Sequence, residues 1–345
     1  MKHERLPSPL ALPPAFKGTC QEIDIIRHRM TPPLDITHTP PRLAPCEHIA
    51  GNEKFALKAL AIQGQHLRDD GTSLVDITLD LEDGAPVGQE DSLRETFTSI
   101  INSPQNARQQ IGVRIHASSS PHFERDLEEL VTRAGRSLAY ITIPKITSTR
   151  EVTWAAGIIE YYAKRSGSAR RIPLHLLIET PEAIEAIHQL AAHPAVETLD
   201  FGVMDCISHF GGAIPSSGMR SPEQFNHPLL CKIKSEIALA ALSHNKIANH
   251  NVTVDIRNPE QAFQDAYKAR HEFGYLRMWS IHPEQIPSII RGMTPTADEV
   301  REAKEIIAAA EAANWGPIQH NGRLHDRASY RYYWGIISRG GAPTQ

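Results

Sequence analysis

The 345-residue sequence predicts an α/β fold, a (β/α)₈ TIM barrel, on three observations. Short apolar runs alternate with amphipathic stretches of helical spacing from about residue 52 to residue 313, as strands alternate with helices in a parallel barrel. Seven such runs end at acidic, basic or histidine residues. In a parallel barrel these ends share one rim, where catalytic groups gather. A doubly wound open sheet is the alternative, but no glycine-rich phosphate loop follows an early strand.

The overall composition excludes some classes of function. A formal net charge of −4 gives no electrostatic reason to expect a nucleic acid or an anionic membrane surface as a partner. The longest apolar runs, such as residues 306–310, are too short to span a bilayer, and no signal-peptide pattern opens the sequence, so we expect a cytoplasmic protein. The four cysteines lack the spacing of a metal site and are too few for a disulfide scaffold.

The first 45 residues are predicted to be an N-terminal arm. They contain nine prolines, which disfavour a continuous helix or a central strand, although residues 22–27 are a candidate for a short edge strand. We expect the barrel over residues 46–313 and a C-terminal lid segment over residues 314–345. The first barrel strand is placed within residues 42–50, although Pro45, Glu47 and His48 make a poor strand.

The next strand leads into an acidic turn. After a helix at about residues 52–67, the strand at residues 74–84 ends with Glu82 and Asp83. Acids this close repel one another, so the fold should offer them a cation or hydrogen-bond donors. A solvated loop is the alternative.

Basic residues end the two strands that follow. A helix at residues 89–101 precedes the strand 111–116, which carries Arg114. Arginine binds carboxylates bidentately, so Arg114 is a candidate for holding an anionic substrate. It could also pair with the acids after the previous strand, and the two roles are compatible.

Lys145 ends the following strand. A helix at residues 123–134 precedes this strand at residues 138–145, and another helix follows at 151–166. A Schiff-base role for Lys145 is disfavoured, because nearby acids should keep the amine protonated.

The central unit of the sequence is a strand, a helix and a second strand. The run from residue 175 ends at Glu179, residues 181–193 have helical spacing, and the run from residue 199 ends near Asp205. Neighbouring parallel strands bring their ends together, so both carboxylates should converge and suit a hard cation such as Mg²⁺. The alternative is that each acid caps the helix after it.

The last third of the barrel begins with a loop at residues 210–226, which contains glycine and proline and is typical of a lid or substrate loop. The elements predicted after it are a helix at 229–243, a strand at 251–255, a helix at 259–273, a strand at 275–281 that ends at His282, and a helix at 297–313.

Several of these strand ends resemble, in order, motifs of the citrate lyase β-subunit and malyl-CoA lyase group of the HpcH/HpaI aldolase superfamily. The matching segments are Asp80-Leu-Glu-Asp83, Val113-Arg-Ile-His116, Pro144-Lys145, Leu177-Ile-Glu-Thr180, Phe201-Gly-Val-Met-Asp205 and Ile281-His-Pro-Glu-Gln285. The segment from Asn321 to Arg327 resembles the C-terminal lid motif of the malyl-CoA lyase branch.

This resemblance implies a TIM-barrel lyase whose metal ligands are two of the acids. Glu179 and Asp205 would ligate Mg²⁺, with Glu82 and Asp83 holding metal-bound waters. Arg114 would polarise the oxyanion of an oxo-acid or thioester.

The resemblance also implies contributions from other strand ends and from a second subunit. Lys145 and His282 would lie among the substrate-binding strand ends. Asp326 would reach a neighbouring subunit's site as a general acid or base, which implies a homo-oligomer, a trimer or a multiple of it.

Departures from the family pattern leave the substrate open. His116 replaces an asparagine, Thr147 a glutamate and Ala328 a proline, and the first-strand motif that helps hold CoA is not recognisable. The leading hypothesis is a Mg²⁺-dependent carbon–carbon lyase acting on an oxo-acid and an acyl-CoA thioester. The alternatives are a CoA-independent aldolase on a free hydroxy-oxo acid, and a non-catalytic scaffold or ligand-binding subunit that keeps the metal site.

Overall fold

The computed structural model describes residues 42–340, and a closed barrel of eight parallel strands in sequential order forms its centre. The predicted (β/α)₈ barrel is therefore confirmed. The strands are β1 (Cys46–Ala50), β2 (Val75–Asp80), β3 (Ile111–Arg114), β4 (Ile141–Ile143), β5 (Leu174–Ile178), β6 (Val196–Phe201), β7 (Ile247–His250) and β8 (Arg277–Ser280).

Helices connect successive strands and cover the outside of the barrel. The helices up to β7 are α1 (Glu53–Gln63), α2 (Glu90–Asn102), α3 (Phe123–Ala134), α4 (Thr149–Arg165), α5 (Pro181–Glu185), α6 (Ile187–Ala192), α7 (Val203–His209) and α8 (Pro228–Ser243). The helices after β7 are α9 (Pro259–Phe273), α10 (Ile286–Met293), α11 (Ala297–Ala312) and α12 (Arg327–Arg339). None of the helices in residues 42–340 has the length and apolar character needed to cross a bilayer.

The apolar core consists largely of strand and helix side chains such as Leu79, Phe97 and Phe123, all buried. Inside the barrel one layer is polar instead. There Arg277 on β8 forms ion pairs with Glu47 of β1 at 2.9 Å and Asp76 of β2 at 2.6 Å. This layer explains the first strand, because Glu47, which made residues 42–50 look unfavourable, is buried opposite a guanidinium.

Three strand or helix assignments made from the sequence are wrong. The seventh strand is Ile247–His250 rather than residues 251–255, because its polar residues Asn249 and His250 are buried in the barrel and hid the strand pattern. The helix predicted at 181–193 is divided into α5 and α6 at Ala186. The strand predicted at 138–145 has only the three residues of β4.

The chain after the barrel forms a small separate core. α11 leads to a hairpin of β9 (Ile318–His320) and β10 (Arg323–His325), and α12 then packs against α11 around Ile306 and Tyr330. The predicted division into arm, barrel and lid stays a prediction. Most of the arm, with the candidate edge strand at 22–27, lies outside the described residues.

Candidate active site at the carboxyl rim of the barrel

A bidentate ion pair at the rim joins Asp80, the last residue of β2, to Arg114, the last residue of β3. The two residues are paired in register, and Arg114 donates from Nε to Asp80 Oδ1 at 2.7 Å and from Nη2 to Oδ2 at 2.6 Å. The backbone N–H groups of Glu82 and Gly84 donate to the same carboxylate at 3.1 and 2.8 Å. This is the structural ion pair that the sequence left open for Arg114, and Asp80 fixes both the guanidinium and the acidic turn.

Part of the Arg114 guanidinium remains available at the rim. Its Nη1 lies 3.4 Å from Glu82 Oε2, its Cζ lies 5.8 Å from the centre of the Trp279 ring, and its side chain is 11% exposed. Burial opposes the charged form, but the Asp80 carboxylate more than offsets it and raises the pKa of Arg114 above its usual range. The group is therefore a permanent cation held in one orientation.

Lys145 follows β4 and connects the acidic turn to the next strand end. Its Nζ donates to Asp83 Oδ2 at 2.8 Å and also to Glu82. Burial opposes the ammonium form, but the hydrogen bonds to Asp83 and Glu82 raise the pKa of Lys145. A protonated amine cannot attack a carbonyl, which agrees with the expectation that Lys145 forms no Schiff base.

The pKa values of the two acids of the turn are shifted in opposite directions. Burial raises the pKa of Glu82, and this outweighs the opposing effect of Arg114. Burial also acts on Asp83, but its hydrogen bond from Lys145 prevails and lowers its pKa. The predicted donor network around this turn is thus present, supplied by Arg114 and Lys145.

Glu179 follows β5 directly, as expected, and its side chain points to the rim. It is 3% exposed, and its Oε1 accepts from the backbone N–H of Lys145 at 2.7 Å. Burial, assisted by the charge of Asp205, raises its pKa to about 8. A Cβ at Gly202 would lie only 2.0 Å from Glu179 Oε2, so residue 202 leaves room for this carboxylate because it is a glycine.

Asp205 lies in the first turn of α7 rather than at a strand end, because β6 already ends at Phe201, four residues earlier, and Gly202 caps the helix. Its half-buried carboxylate has no hydrogen-bond partner within residues 42–340, and its charge acts on Glu179. Neither acid caps a helix. Thr180 caps α5 with its hydroxyl group, which accepts from Ala183 N at 3.1 Å, so the capping alternative is wrong.

The residues of this rim fit a divalent cation. Glu179 and Asp205 present carboxylate oxygens, the donors that Mg²⁺ prefers, and Asp205 has no other partner in the described chain. The charge of Asp205 helps to raise the pKa of Glu179, and a cation between the two carboxylates would remove that repulsion. The absent Cβ of Gly202 leaves space beside Glu179 Oε2.

Two predicted site residues, His282 and Asp326, cap helices in this structure. The His282 ring caps the short helix after β8, where its Nδ1 accepts from Glu284 N at 3.3 Å. Asp326 is exposed on the segment beyond the barrel, where it caps α12 by accepting from Ala328 N at 2.9 Å. The described contacts of this single chain do not bring Asp326 to the rim.

The sequence prediction missed Asp80 and Gly202 as parts of the site. Asp80 could have been found, because a buried arginine at one strand end needs a carboxylate opposite, and Asp80 begins the acidic run on the neighbouring strand. The role of Gly202 has no signal in a single sequence. It depends on a carboxylate that approaches from the adjacent strand.

His116 and Thr147, which depart from the family pattern, have definite partners. His116 Nδ1 lies 2.6 Å from Asp126 Oδ2, and the buried Arg94 binds the same carboxylate at 2.8 Å. Thr147 donates to Glu151, one turn into α4. Both substitutions are thus accommodated by local pairs next to the rim.

Comparisons with known proteins give a consistent result. The sequence model of the HpcH/HpaI aldolase/citrate lyase family matches residues 70–283. The L-malyl-CoA/beta-methylmalyl-CoA lyase of Cereibacter sphaeroides is 25% identical over 270 residues, which cover 74% of this chain and 84% of that protein. A citrate lyase subunit beta-like protein of Mycobacterium tuberculosis is 26% identical over 268 residues, with 78% and 88% covered.

Solved structures agree with the fold. A citrate lyase from Burkholderia xenovorans LB400 superposes with a TM-score of 0.79 at 44% identity, covering 87% of this chain and 92% of that one. The protein CitE from Mycobacterium tuberculosis, solved with magnesium, acetoacetate and coenzyme A, superposes with a TM-score of 0.66 at 23% identity and covers 87% and 99%. The latter likeness concerns the fold alone.

Proposed function

The chain belongs to the HpcH/HpaI aldolase/citrate lyase family and is a lyase of that type, and on this premise we propose its reaction. It cleaves or forms a carbon–carbon bond between an oxo-acid and an acyl thioester, with one Mg²⁺ held by Glu179 and Asp205. The observation that carries the proposal is the Asp205 carboxylate, which is unpartnered in the described chain and lies on the same rim as Glu179.

The rim supplies both charges that this reaction needs. A Mg²⁺ bound there would act as a Lewis acid on the carbonyl and carboxylate oxygens of the oxo-acid. Glu179 loses its proton when it takes up a cation, since a ligand carboxylate must be ionised. Glu82 and Asp83, fixed by Lys145, orient water molecules beside the two ligands. His282 at the end of β8 lines the same rim.

Arg114 stabilises the negative charge that develops on the reacting oxygen. Two of its nitrogens are bound to Asp80, so the guanidinium cannot turn away, and Nη1 faces the side of Glu82. A donor that is already oriented costs no reorganisation when charge develops, which makes such groups effective in stabilising oxyanions. Asp80 is therefore a positioning residue, since it acts through Arg114.

Proton transfer at the substrate carbon is assigned to Asp326 of a neighbouring subunit. The side chain is exposed at the start of α12, outside the barrel, and caps that helix in its own chain. A second copy of the chain could place it over the rim. The proposed assembly is accordingly a homo-oligomer, a trimer or a multiple of it.

The acyl thioester is the finer part of the proposal. It is supported by the curated relatives named for malyl-CoA and β-methylmalyl-CoA. The competing substrate is a free hydroxy-oxo acid, which is favoured by the absence of a recognisable CoA motif at β1. Instead of such a motif, β1 of this chain carries Glu47, which is buried inside the barrel.

Calorimetric titration tests the metal site and the substrate class together. We expect the wild type to bind Mg²⁺ and, with Mg²⁺, an oxo-acid such as pyruvate, glyoxylate or oxaloacetate, and Asp205→Ala to lose both. The matched control is Asp255→Ala, which removes an exposed acid after β7 whose carboxylate accepts, among the described hydrogen bonds, only from Arg257 N at 3.3 Å. Unchanged Mg²⁺ binding in Asp205→Ala would overturn the proposal.

Turnover then separates the possible substrates. Cleavage of malyl-type thioesters supports the leading proposal, whereas cleavage of free hydroxy-oxo acids alone supports the CoA-independent aldolase. No turnover by the purified oligomer with either class, despite Mg²⁺ and oxo-acid binding, would indicate a ligand-binding subunit.

A further inference from the structure

A second group of metal-ligating side chains lies inside the barrel, away from the rim. Glu47 of β1, His175 of β5 and Asp200 of β6 are all fully buried, and they place one ligand atom each within 4.8 Å of the others. His175 on β5 is four residues before Glu179, which follows that strand directly, so the two groups are separated by roughly 13 Å along the strand direction.

Asp200 is the buried side chain of this group that most needs a binding partner. Both of its carboxylate oxygens are buried, and neither accepts a hydrogen bond of normal geometry within the described chain. Burial and the charge of Glu47 raise the pKa of Asp200 to about 7, although the nearby Thr198 hydroxyl favours the charged form. Buried polar groups in native proteins have partners, so this carboxyl group requires a cation or ordered water.

His175 is oriented as a metal-binding histidine would be. Its Nε2 lies 3.2 Å from Glu197 Oε2, so Nε2 carries the hydrogen and Nδ1 presents a lone pair. Nδ1 is buried and has no partner within the described chain. A carboxylate bound to the far nitrogen is the usual support of a metal-ligating imidazole, and stacking on Tyr140 at 3.9 Å fixes the ring plane.

Oxygen atoms without partners surround these three residues. Thr142 and Thr198 are the register neighbours of His175, and Asn249 is the register neighbour of Asp200. The hydroxyl groups of both threonines and Oδ1 of Asn249 are buried and unpartnered within residues 42–340. The interior thus holds several acceptors that face one region between β4 and β7.

The charges of the interior do not balance by themselves. When ionised, the carboxylates of Glu47, Asp76 and Asp200 carry three negative charges, and Arg277 is the guanidinium that opposes them. Arg277 is bound to Glu47 and Asp76, and no described ion pair joins it to Asp200. With all three carboxylates ionised, the layer carries an excess of two negative charges, which one divalent cation would neutralise.

We propose that the barrel interior binds a second divalent cation, held by Glu47, His175 and Asp200. The nitrogen donor favours a first-row ion such as Zn²⁺ over Mg²⁺ or Ca²⁺, which prefer oxygen ligands alone. The side chains must draw in by about 1 Å to reach the ~2.0–2.2 Å bond lengths of such a site. The ion links β1 to β5 and β6 across the barrel, and its role is structural because all three of its ligands are fully buried.

Metal analysis of defined variants tests this site. Wild type, Asp205→Ala and Asp200→Asn are loaded with Zn²⁺, and excess metal is removed by gel filtration in buffer with millimolar Mg²⁺. Mass spectrometry then gives the zinc content. We expect about one Zn²⁺ per chain in the wild type and in Asp205→Ala, and none in Asp200→Asn.

Asp265→Asn is the matched control. Asp265 is also a buried aspartate, but it accepts hydrogen bonds from Ser221, Gln224, Thr253 and Gln261. This variant should retain its zinc. Equal zinc content in Asp200→Asn and the wild type would show adventitious surface binding and overturn the proposal, as would a wild type without zinc.

A second measurement does not depend on how the variants fold. Wild-type crystals grown with Zn²⁺ should show an anomalous scattering peak between Glu47, His175 and Asp200. Ordered water without an anomalous signal at that position would refute the interior ion while leaving the proposed rim chemistry intact.

Discussion

The rim and the interior of this barrel each contain an arginine paired with carboxylates, and the two ion pairs differ in their exposure. Arg277 joins β8 to Glu47 of β1 and Asp76 of β2 inside the barrel. Arg114 joins the end of β3 to Asp80 at the end of β2. Arg277 is fully buried and bound to Glu47 and Asp76 from two strands. Arg114 is bound to Asp80 but keeps 11% of its side chain exposed. A fully buried ion pair can only hold strands of the barrel together. A partly exposed one can also bind a substrate.

The acids of the two regions show the same contrast. Glu47 in the interior accepts from Asn249 Nδ2 at 2.6 Å as well as from Thr78 and Arg277, so groups of the protein already bind both of its oxygens. Asp205 at the rim has no partner in the described chain. The rim acid is thus open to a ligand from solvent, whereas the interior acids are fully enclosed, and the following predictions test this difference.

The largest effect is expected for Arg277→Met. Removing the guanidinium leaves Glu47 and Asp76 as buried carboxylates without their cation, which should lower the free energy of unfolding by about 3–5 kcal/mol. Urea denaturation measures it. The control is Arg125→Met, which removes an exposed arginine that is paired with Asp91 and Glu129 and should cost less than about 1 kcal/mol. A loss of similar size in both variants would contradict the comparison.

Arg114→Met should affect activity more than stability. Asp80 keeps its hydrogen bonds from the backbone of Glu82 and Gly84, so the free energy of unfolding should fall less than in Arg277→Met. The rate of carbon–carbon cleavage should drop by roughly 100- to 1,000-fold, the usual effect of losing an oxyanion donor. Arg114→Lys keeps the charge but not the bidentate bond, and it should recover only part of the rate. Full activity in Arg114→Met would show that the guanidinium only supports the fold.

Mg²⁺ binding should depend on pH through Glu179. Its pKa in the metal-free protein is raised from 4.5 to about 8, so below pH 8 a cation must displace a proton. The apparent Mg²⁺ affinity should rise by about tenfold for each pH unit up to pH 8 and then level off. Titration calorimetry at several pH values measures this.

The same shift has a stability consequence of defined sign. Between pH 4.5 and pH 8 the folded protein binds more protons than the unfolded chain, so the metal-free protein should lose stability as the pH rises through that range. Glu179→Gln should remove the part of this dependence on pH that comes from residue 179. A Mg²⁺ affinity that stays constant between pH 6 and pH 8 would contradict the assignment of Glu179 as a ligand.

The smallest effect is expected from one methyl group at Gly202. In Gly202→Ala the Cβ would lie 2.0 Å from Glu179 Oε2, so the carboxylate must shift and Mg²⁺ affinity should fall by about tenfold, ~1.4 kcal/mol. Gly157→Ala is the control, because a Cβ there meets no atom within 4 Å, and alanine should stabilise α4 by about 0.5–1 kcal/mol. Equal Mg²⁺ affinity in both variants would show that Gly202 does not shape the site.

The sequence predicted the barrel and the rim because both follow from regular patterns. Apolar runs of strand length that end in charged residues can be recognised from the periodicity of the sequence alone. They predict Glu82, Arg114, Lys145 and Glu179 at or just after successive strand ends, where the structure has them. The barrel itself follows from the strand count.

The interior layer could not be predicted in this way. The strand pattern assumes apolar faces, whereas the buried Asn249 and His250 face polar partners, so β7 was assigned four residues too late. The position of Asp205 in α7 was missed for a related reason, since a single glycine after β6 is enough to start the helix. Both features depend on side chains from other strands.

The conformation of Lys145 has a consequence for the design of new substrate loops on this barrel. Its φ of +49° lies in the left-handed region, and from that position the backbone N–H reaches Glu179 while the ammonium group reaches Asp83. One residue therefore ties the connections after β2, β4 and β5 together. Grafting a foreign loop at any one of these three places will loosen the other two, unless the graft keeps a residue at 145 that tolerates positive φ and carries a cationic side chain.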